Sequence, residues 1–113
     1  MVKLIALYKV PSDPEEFDSH FTTVHVPLVR AVPGLHRLEI TRITGAPFGE
    51  ARFYLMEELV FESQRMMDTA MSSPQGKSVA RDVMSFAADL VVLLQGVPGD
   101  TLPSHDESQL PPY

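Results

Sequence analysis

His25 is the side chain in this 113-residue sequence best suited to moving a proton. Its imidazole titrates near neutral pH and can serve as general acid or general base. Two residues later Pro27 removes a backbone donor and presses on the carbonyl of Thr23. A helix carrying His25 is therefore expected to kink beside it, freeing a carbonyl that could fix its tautomer or meet a ligand. The competing reading is a half-buried histidine, bonded to a backbone carbonyl, that packs the helix end. Tyr8 and Tyr54 offer hydroxyls that could orient an oxygenated ligand. Tyrosine is equally ordinary in a subunit interface.

Other residues are weaker candidates. Arg37 with Glu39, and Arg52 with Glu58, read as cross-strand or rim ion pairs, or as an anion site if a partner encloses them. Asp82 reads as a local cap or as a partner for Arg81 or the surroundings of His25. Phe86 belongs to a core stripe and can also wall a pocket. Met66, Met67 and Met71 read as adaptable packing.

Metal and cofactor chemistry find little support. His20 and His25 are five residues apart, about 140° round an α-helix, so they are not expected to chelate one ion together. A single-histidine haem site is the remaining metal alternative. There is no cysteine, hence no thiolate nucleophile, thiolate metal site or disulfide. A phosphate loop, a Rossmann glycine pattern and G-x-S-x-G are all missing from the sequence. The expectation is no metal and no cofactor.

The elements that must position these residues follow from pattern. Residues 2–10 are β-branched or bulky and stop at Pro11, which reads as a strand. Asp13, Pro14 and Glu16 are a helix start, with a cap, a proline suited to the first turn and capping-box spacing. Phe17, Phe21, Val24, Leu28 and Val32 then recur at helical spacing, until Pro33-Gly34 ends the run. On that stripe His25 lies at the edge. Residues 35–44 and 51–61 read as two further strands joined by the loop around Gly45-Ala46-Pro47-Phe48-Gly49. Ser63 caps a short helix through Met71, Ser73-Pro74 starts another to about Ala87, and residues 89–95 form a last apolar strand. The order is β-α-β-β-α-β, an α+β pattern whose helices segregate to one face of an antiparallel four-stranded sheet. Residues 1–96 make one domain. Residues 97–113, with four prolines, read as an extended or disordered tail.

Alternation sorts the strands into two faces. Ile5, Leu7, Leu38, Ile40, Phe53, Leu55 and Leu59 are expected beneath the helices. Leu4, Ala6, Tyr8, Arg37, Glu39, Thr41, Arg52, Tyr54, Met56 and Glu58 are expected on the open face. That mixture suits a second copy of the chain closing a half-apolar chamber, although a solvated antiparallel face is the bland alternative.

The net charge is −6, and three of the fifteen acidic residues, Asp100, Asp106 and Glu107, lie beyond residue 97. No cluster of Lys or Arg offers a surface for phosphate, so nucleic acid and anionic membrane are not expected partners. The apolar run before Lys9 is too short for a signal peptide and none is long enough to span a bilayer. A cytoplasmic location is the expectation.

The segment His25-Val26-Pro27-Leu28 through Pro33-Gly34-Leu35 resembles the HxPL…PGL segment of the EthD family. A second stretch agrees: Phe61, Ser63, Met66, Ser73-Pro74, Gly76, Asp82 and Phe86-Ala87 are similar, in order and spacing, to the family's second motif. The likeness covers about residues 2–96. It implies a ferredoxin-like βαββαβ sandwich that pairs into a dimeric α/β barrel. Relatives in that wider group act as cofactor-free oxygenases, isomerases, dehydratases or decarboxylases, so the fold does not select one reaction. Two functions follow. In one, a homodimeric enzyme binds a small hydrophobic oxygenated molecule, His25 moves a proton, and Tyr8, Tyr54, Phe86 and Arg37 contact the ligand. In the other, the chain is a non-catalytic binding or accessory subunit.

Overall fold

The computed structural model describes residues 1–99, so most of the proline-rich tail lies outside the described residues. Strand β1 (Val2–Lys9) leads into helix α1 (Pro14–His20), a π-helical turn (Phe21–His25) and helix α2 (Val26–Arg30). Strands β2 (Arg37–Arg42) and β3 (Phe53–Phe61) follow, then helices α3 (Gln64–Ser72) and α4 (Pro74–Phe86), and strand β4 (Val91–Gly96). All strand pairs are antiparallel, in the order β2-β3-β1-β4. This is the ferredoxin-like α+β sandwich, with one sheet face left open by the helices.

The helix starts are those the sequence encodes. Asp13 accepts from the Glu16 amide, Ser63 from Met66 and Ser73 from Gly76, satisfying donors that have no partner within the helix. Pro14 and Pro74 occupy first-turn positions, where a missing N–H costs nothing. Gly34 takes a left-handed φ of 77° after α2.

The expected single helix is interrupted. Its amides shift from four-residue to five-residue bonding, Val26 N–H reaching back to the carbonyl of Phe21. One extra residue is thereby accommodated in the turn ahead of Pro27, whose ring and missing donor are poorly suited to regular helix. The buried stripe becomes Phe17, Phe21, His25, Val29 and Val32, while Val24 is exposed. His25 therefore sits at the centre of the stripe rather than its edge.

The strand phases need one correction. On β1 it is Leu4, Ala6 and Tyr8 that pack beneath the helices, whereas Lys3, Ile5 and Leu7 lie on the open face. This strand is apolar on both sides, so alternation alone does not fix its phase. Lys3 does: it pairs at 3.0 Å with Glu58 across the open face. Leu38, Leu55 and Leu59 face the helices as expected. Tyr54 does not occupy the open face. The register slips between Tyr8, opposite Leu55, and Lys9, opposite Phe53. Tyr54 is the bulged residue, and its ring meets Phe17 edge-on at 5.6 Å.

Two apolar clusters hold the layers together. One joins Val29 and Val32 of the first helical segment to Leu59, Phe61, Met67, Ala70 and Val79. The other joins Ala6, Tyr8 and Leu55 to Phe17, Phe21 and Ala87.

Candidate functional site

Between these clusters runs a chain of polar side chains, buried where apolar residues would be usual. It starts at Tyr8, whose hydroxyl donates to Glu57 Oε1 at 3.0 Å. Glu57 lies on β3 opposite Ala6, flanked on the same face by Leu55 and Leu59. His25 Nε2 stands 3.0 Å from each Glu57 oxygen, its hydrogen-bonding geometry favouring Oε1. His25 Nδ1 meets Asp82 Oδ2 at 3.1 Å, and His20 Nε2 meets Asp82 Oδ1 at 2.8 Å. Tyr8 and His25 are wholly buried, and Glu57 is 2% exposed.

The π-helical turn explains how two histidines five residues apart reach one carboxylate. Five-residue bonding brings residues i and i+5 onto one side of the helix, so the 140° expected of an α-helix does not apply. Asp82, near the end of α4, thus takes one imidazole on each oxygen. Phe86, one turn further on, lies against both rings, 4.4 Å from His20 and 5.5 Å from His25.

Both ring nitrogens of His25 face carboxylate oxygens. A neutral imidazole has one N–H, so it can donate to only one of them, whereas the imidazolium satisfies both. Burial is the largest single influence on His25 and favours loss of its proton. The hydrogen bonds and charges of Glu57 and then Asp82 together outweigh it, leaving the pKa raised above 6.5. The Tyr8 hydroxyl is held protonated far above its ordinary range by burial first, and then by the Glu57 charge.

Glu57 has a second aspect. It lines a cavity of about 120 Å³ between the sheet and α4, whose other walls include Leu4, Ala6, Leu59, Met71, Val79 and Val83. It is the one ionisable side chain on that wall. Its Oε2 is buried 3.0 Å from His25 Nε2 but accepts no directed hydrogen bond among the described residues. A larger outer cleft, about 640 Å³, opens between the start of α1 and the end of α4 and is lined by Asp13, Phe17, His20, Phe86 and Leu90 among others.

The structure brings Tyr8, His25, Asp82 and Phe86 together. Tyr8 belongs to this interior network, not to a chamber on the open face. Tyr54 is elsewhere: its hydroxyl lies 2.8 Å from Asp18, a bond that, ahead of burial, raises its pKa. Arg37 is half exposed and pairs with Glu39 on its own strand. Glu58 pairs with Lys3 rather than with Arg52. His25 lines neither cavity and reaches the inner one through Glu57. Sequence reasoning missed Glu57 and His20. The alternation Leu55-x-Glu57-x-Leu59 carried the signal for Glu57, since it places a carboxylate on the core face.

Fold and site together define a ferredoxin-like α+β domain with an open sheet face and a buried carboxylate–imidazole network. The EthD domain matches residues 9–89, and this chain belongs to the EthD family. It is 33% identical, over 94 residues, to an uncharacterised 11.0 kDa protein of the thcB-thcC intergenic region of Rhodococcus erythropolis, covering 83% of this chain and 91% of that one. An EthD family protein from Bacillus halodurans has a similar structure, with a TM-score of 0.85 and 44% identity, covering 87% of this chain and 98% of that one. A hydroxynitrile lyase from Passiflora edulis shares the fold, with a TM-score of 0.71 at 17% identity, covering 90% and 96% of the two chains.

Proposed function

We propose that this protein binds a small, largely apolar molecule bearing one hydroxyl or similar donor, and moves a proton on it with Glu57 as the acid–base group. The carrying observation is the Glu57 carboxylate itself, a buried group on an otherwise apolar wall, whose Oε2 shares His25 Nε2 with Oε1 and accepts no hydrogen bond of its own among the described residues. A buried acceptor left unmade is costly, and a ligand hydroxyl would satisfy it. The volume of about 120 Å³ is close to that of cavities that take benzene, which sets the ligand at on the order of six heavy atoms. His25 acts here as the residue that supplies Glu57 with a proton or receives one from it, and Tyr8 fixes the carboxylate. Proton transfer without a cofactor suits isomerisation or elimination. The hydroxynitrile lyase of the same fold is in keeping with an enzyme site on this scaffold.

A second reading, a binding subunit without turnover, draws on the full enclosure of His25, both of whose nitrogens are engaged. In that case the network ties α4 and the first helical segment to the sheet and the cavity only holds its ligand.

Two copies are proposed to pair through their open faces. Ile5, Leu7, Met56, Val92 and Leu94 supply the apolar part and the Lys3–Glu58 pair a polar part.

The test compares phenol with benzene as ligands, by thermal shift and by titration calorimetry, in the wild type and in Glu57→Gln. The proposal expects phenol to bind more tightly by roughly tenfold, a preference that Glu57→Gln largely removes. Equal binding of both, or of neither, overturns it. Deuterium uptake from D2O at the α-carbon of a small ketone, lost in Glu57→Gln, separates the enzyme from the binding subunit.

A further inference from the structure

We propose that His20 is the port through which the buried Glu57–His25 pair exchanges protons with solvent. This rests on the reading of Glu57 as the acid–base group, and it assigns a role to a residue outside the cavity.

The geometry is continuous. From the Tyr8 hydroxyl through Glu57, His25 and Asp82 to His20, no link exceeds 3.1 Å. Exposure rises at the far end only: the Asp82 side chain is 9% exposed and that of His20 is 31%. His20 also lines the outer cleft, whereas the inner cavity offers no polar wall except Glu57. Phe86, packed against both imidazoles, fills the space beside the Asp82 link. Among the described residues, the ionisable side chains that lead from the buried pair toward bulk water are Asp82 and then His20.

The outward step balances without any redox partner. The proton on His25 Nδ1 passes to Asp82, leaving a neutral imidazole and a carboxylic acid. The carboxyl group turns so that its proton faces His20 and passes it to Nε2 of the Nδ1–H tautomer, and Asp82 is again a carboxylate. His20, now an imidazolium, releases a proton to water from Nδ1 and returns to neutral. The inward step is the reverse. A histidine can conduct in this way because its two nitrogens take up and give up protons on opposite sides of the ring.

The experiment follows the His25 ring proton on Nδ1 in the full-length, 15N-labelled protein and measures its exchange with water by NMR. The expected result is a slowing of tenfold or more in His20→Gln, with the backbone amide spectrum otherwise unchanged. Carbethoxylation of the wild-type protein blocks the His20 ring without substitution and should produce the same slowing, which covers the case in which His20→Gln fails to fold. The other exposed histidine among the described residues, His36, is bonded to none of these groups. An exchange rate that neither change alters overturns the proposal. Because the readout is proton exchange in the ligand-free protein, it is independent of whether phenol prefers the wild type over Glu57→Gln.

Discussion

His25 Nε2 stands 3.0 Å from Glu57 Oε1, and neither residue is more than 2% exposed. An imidazolium in such a place is maintained by its carboxylates against the pull of burial. Replacing Glu57 by glutamine keeps the shape and removes one of the two charges. His25 should then titrate at lower pH than in the wild type, read from its ring resonances. An unchanged titration would show that Asp82 alone holds the proton.

The same balance has a consequence for stability. The folded pKa of His25 is raised above the 6.5 of a free imidazole, so protonation favours the folded state. Its contribution is fully present below pH 6.5 and is lost as pH rises through the folded value. Urea unfolding from about pH 5 to about pH 9 should show that loss, and Glu57→Gln should move it to lower pH. A rise in the His25 contribution over the same window would contradict the sign.

Tyr8→Phe keeps the ring among Phe17, Phe21 and Phe86 and deletes only the hydroxyl that donates to Glu57. The cost is expected at about 1–2 kcal/mol, one hydrogen bond to a charged acceptor that keeps its other partner. Chemical denaturation with an unchanged m-value checks it.

Gly76→Ala should be more damaging than its single methyl suggests. A Cβ at Gly76 would strike the Ala70 carbonyl and the backbone of Met71, neither of which can swing aside. The α3–α4 corner must open, at about 1–3 kcal/mol for an overpacked site. A melting temperature equal to the wild type's would show that the corner is more yielding than the contact implies.

Leu94→Glu tests the pairing of open faces. Leu94 lies opposite Ile5 and is 47% exposed in the single chain, so the substitution should spare the fold. Native mass spectrometry should find a dimer for the wild type and a monomer for the variant. Dimers from both would place the contact elsewhere.

The local grammar of the chain was readable in its sequence wherever one residue type has one job. Asp13, Ser63 and Ser73 cap, and Pro11 and Pro33-Gly34 stop their elements, because donors at helix ends and the proline ring leave few options. Strand phase was readable on β2, where Leu38 alternates with Arg37 and Glu39, and unreadable on β1, where apolar residues occupy both sides. Counting at 100° per residue put Val24 on the buried stripe and separated His20 from His25. A stripe cannot announce a π-helical turn, since an inserted residue changes its phase only from that point on. Tyr54 was misplaced for the matching reason on a strand, where the bulge consumes one residue of alternation.

Helix α4 is fastened at two points, by close backbone contact at Gly76 and by two imidazoles on Asp82. Between and just beyond them Val79, Ala80, Val83 and Met84 project over the cavity. The bore of the chamber is thus a property of exchangeable side chains on a fixed rail. Ala80→Leu or Val83→Phe would narrow it and Met84→Ala would widen it, while the carboxylate at its wall stays in place. Ligand size and ligand chemistry are tuned by different residues, so one protein engineer's library can vary the first without disturbing the second.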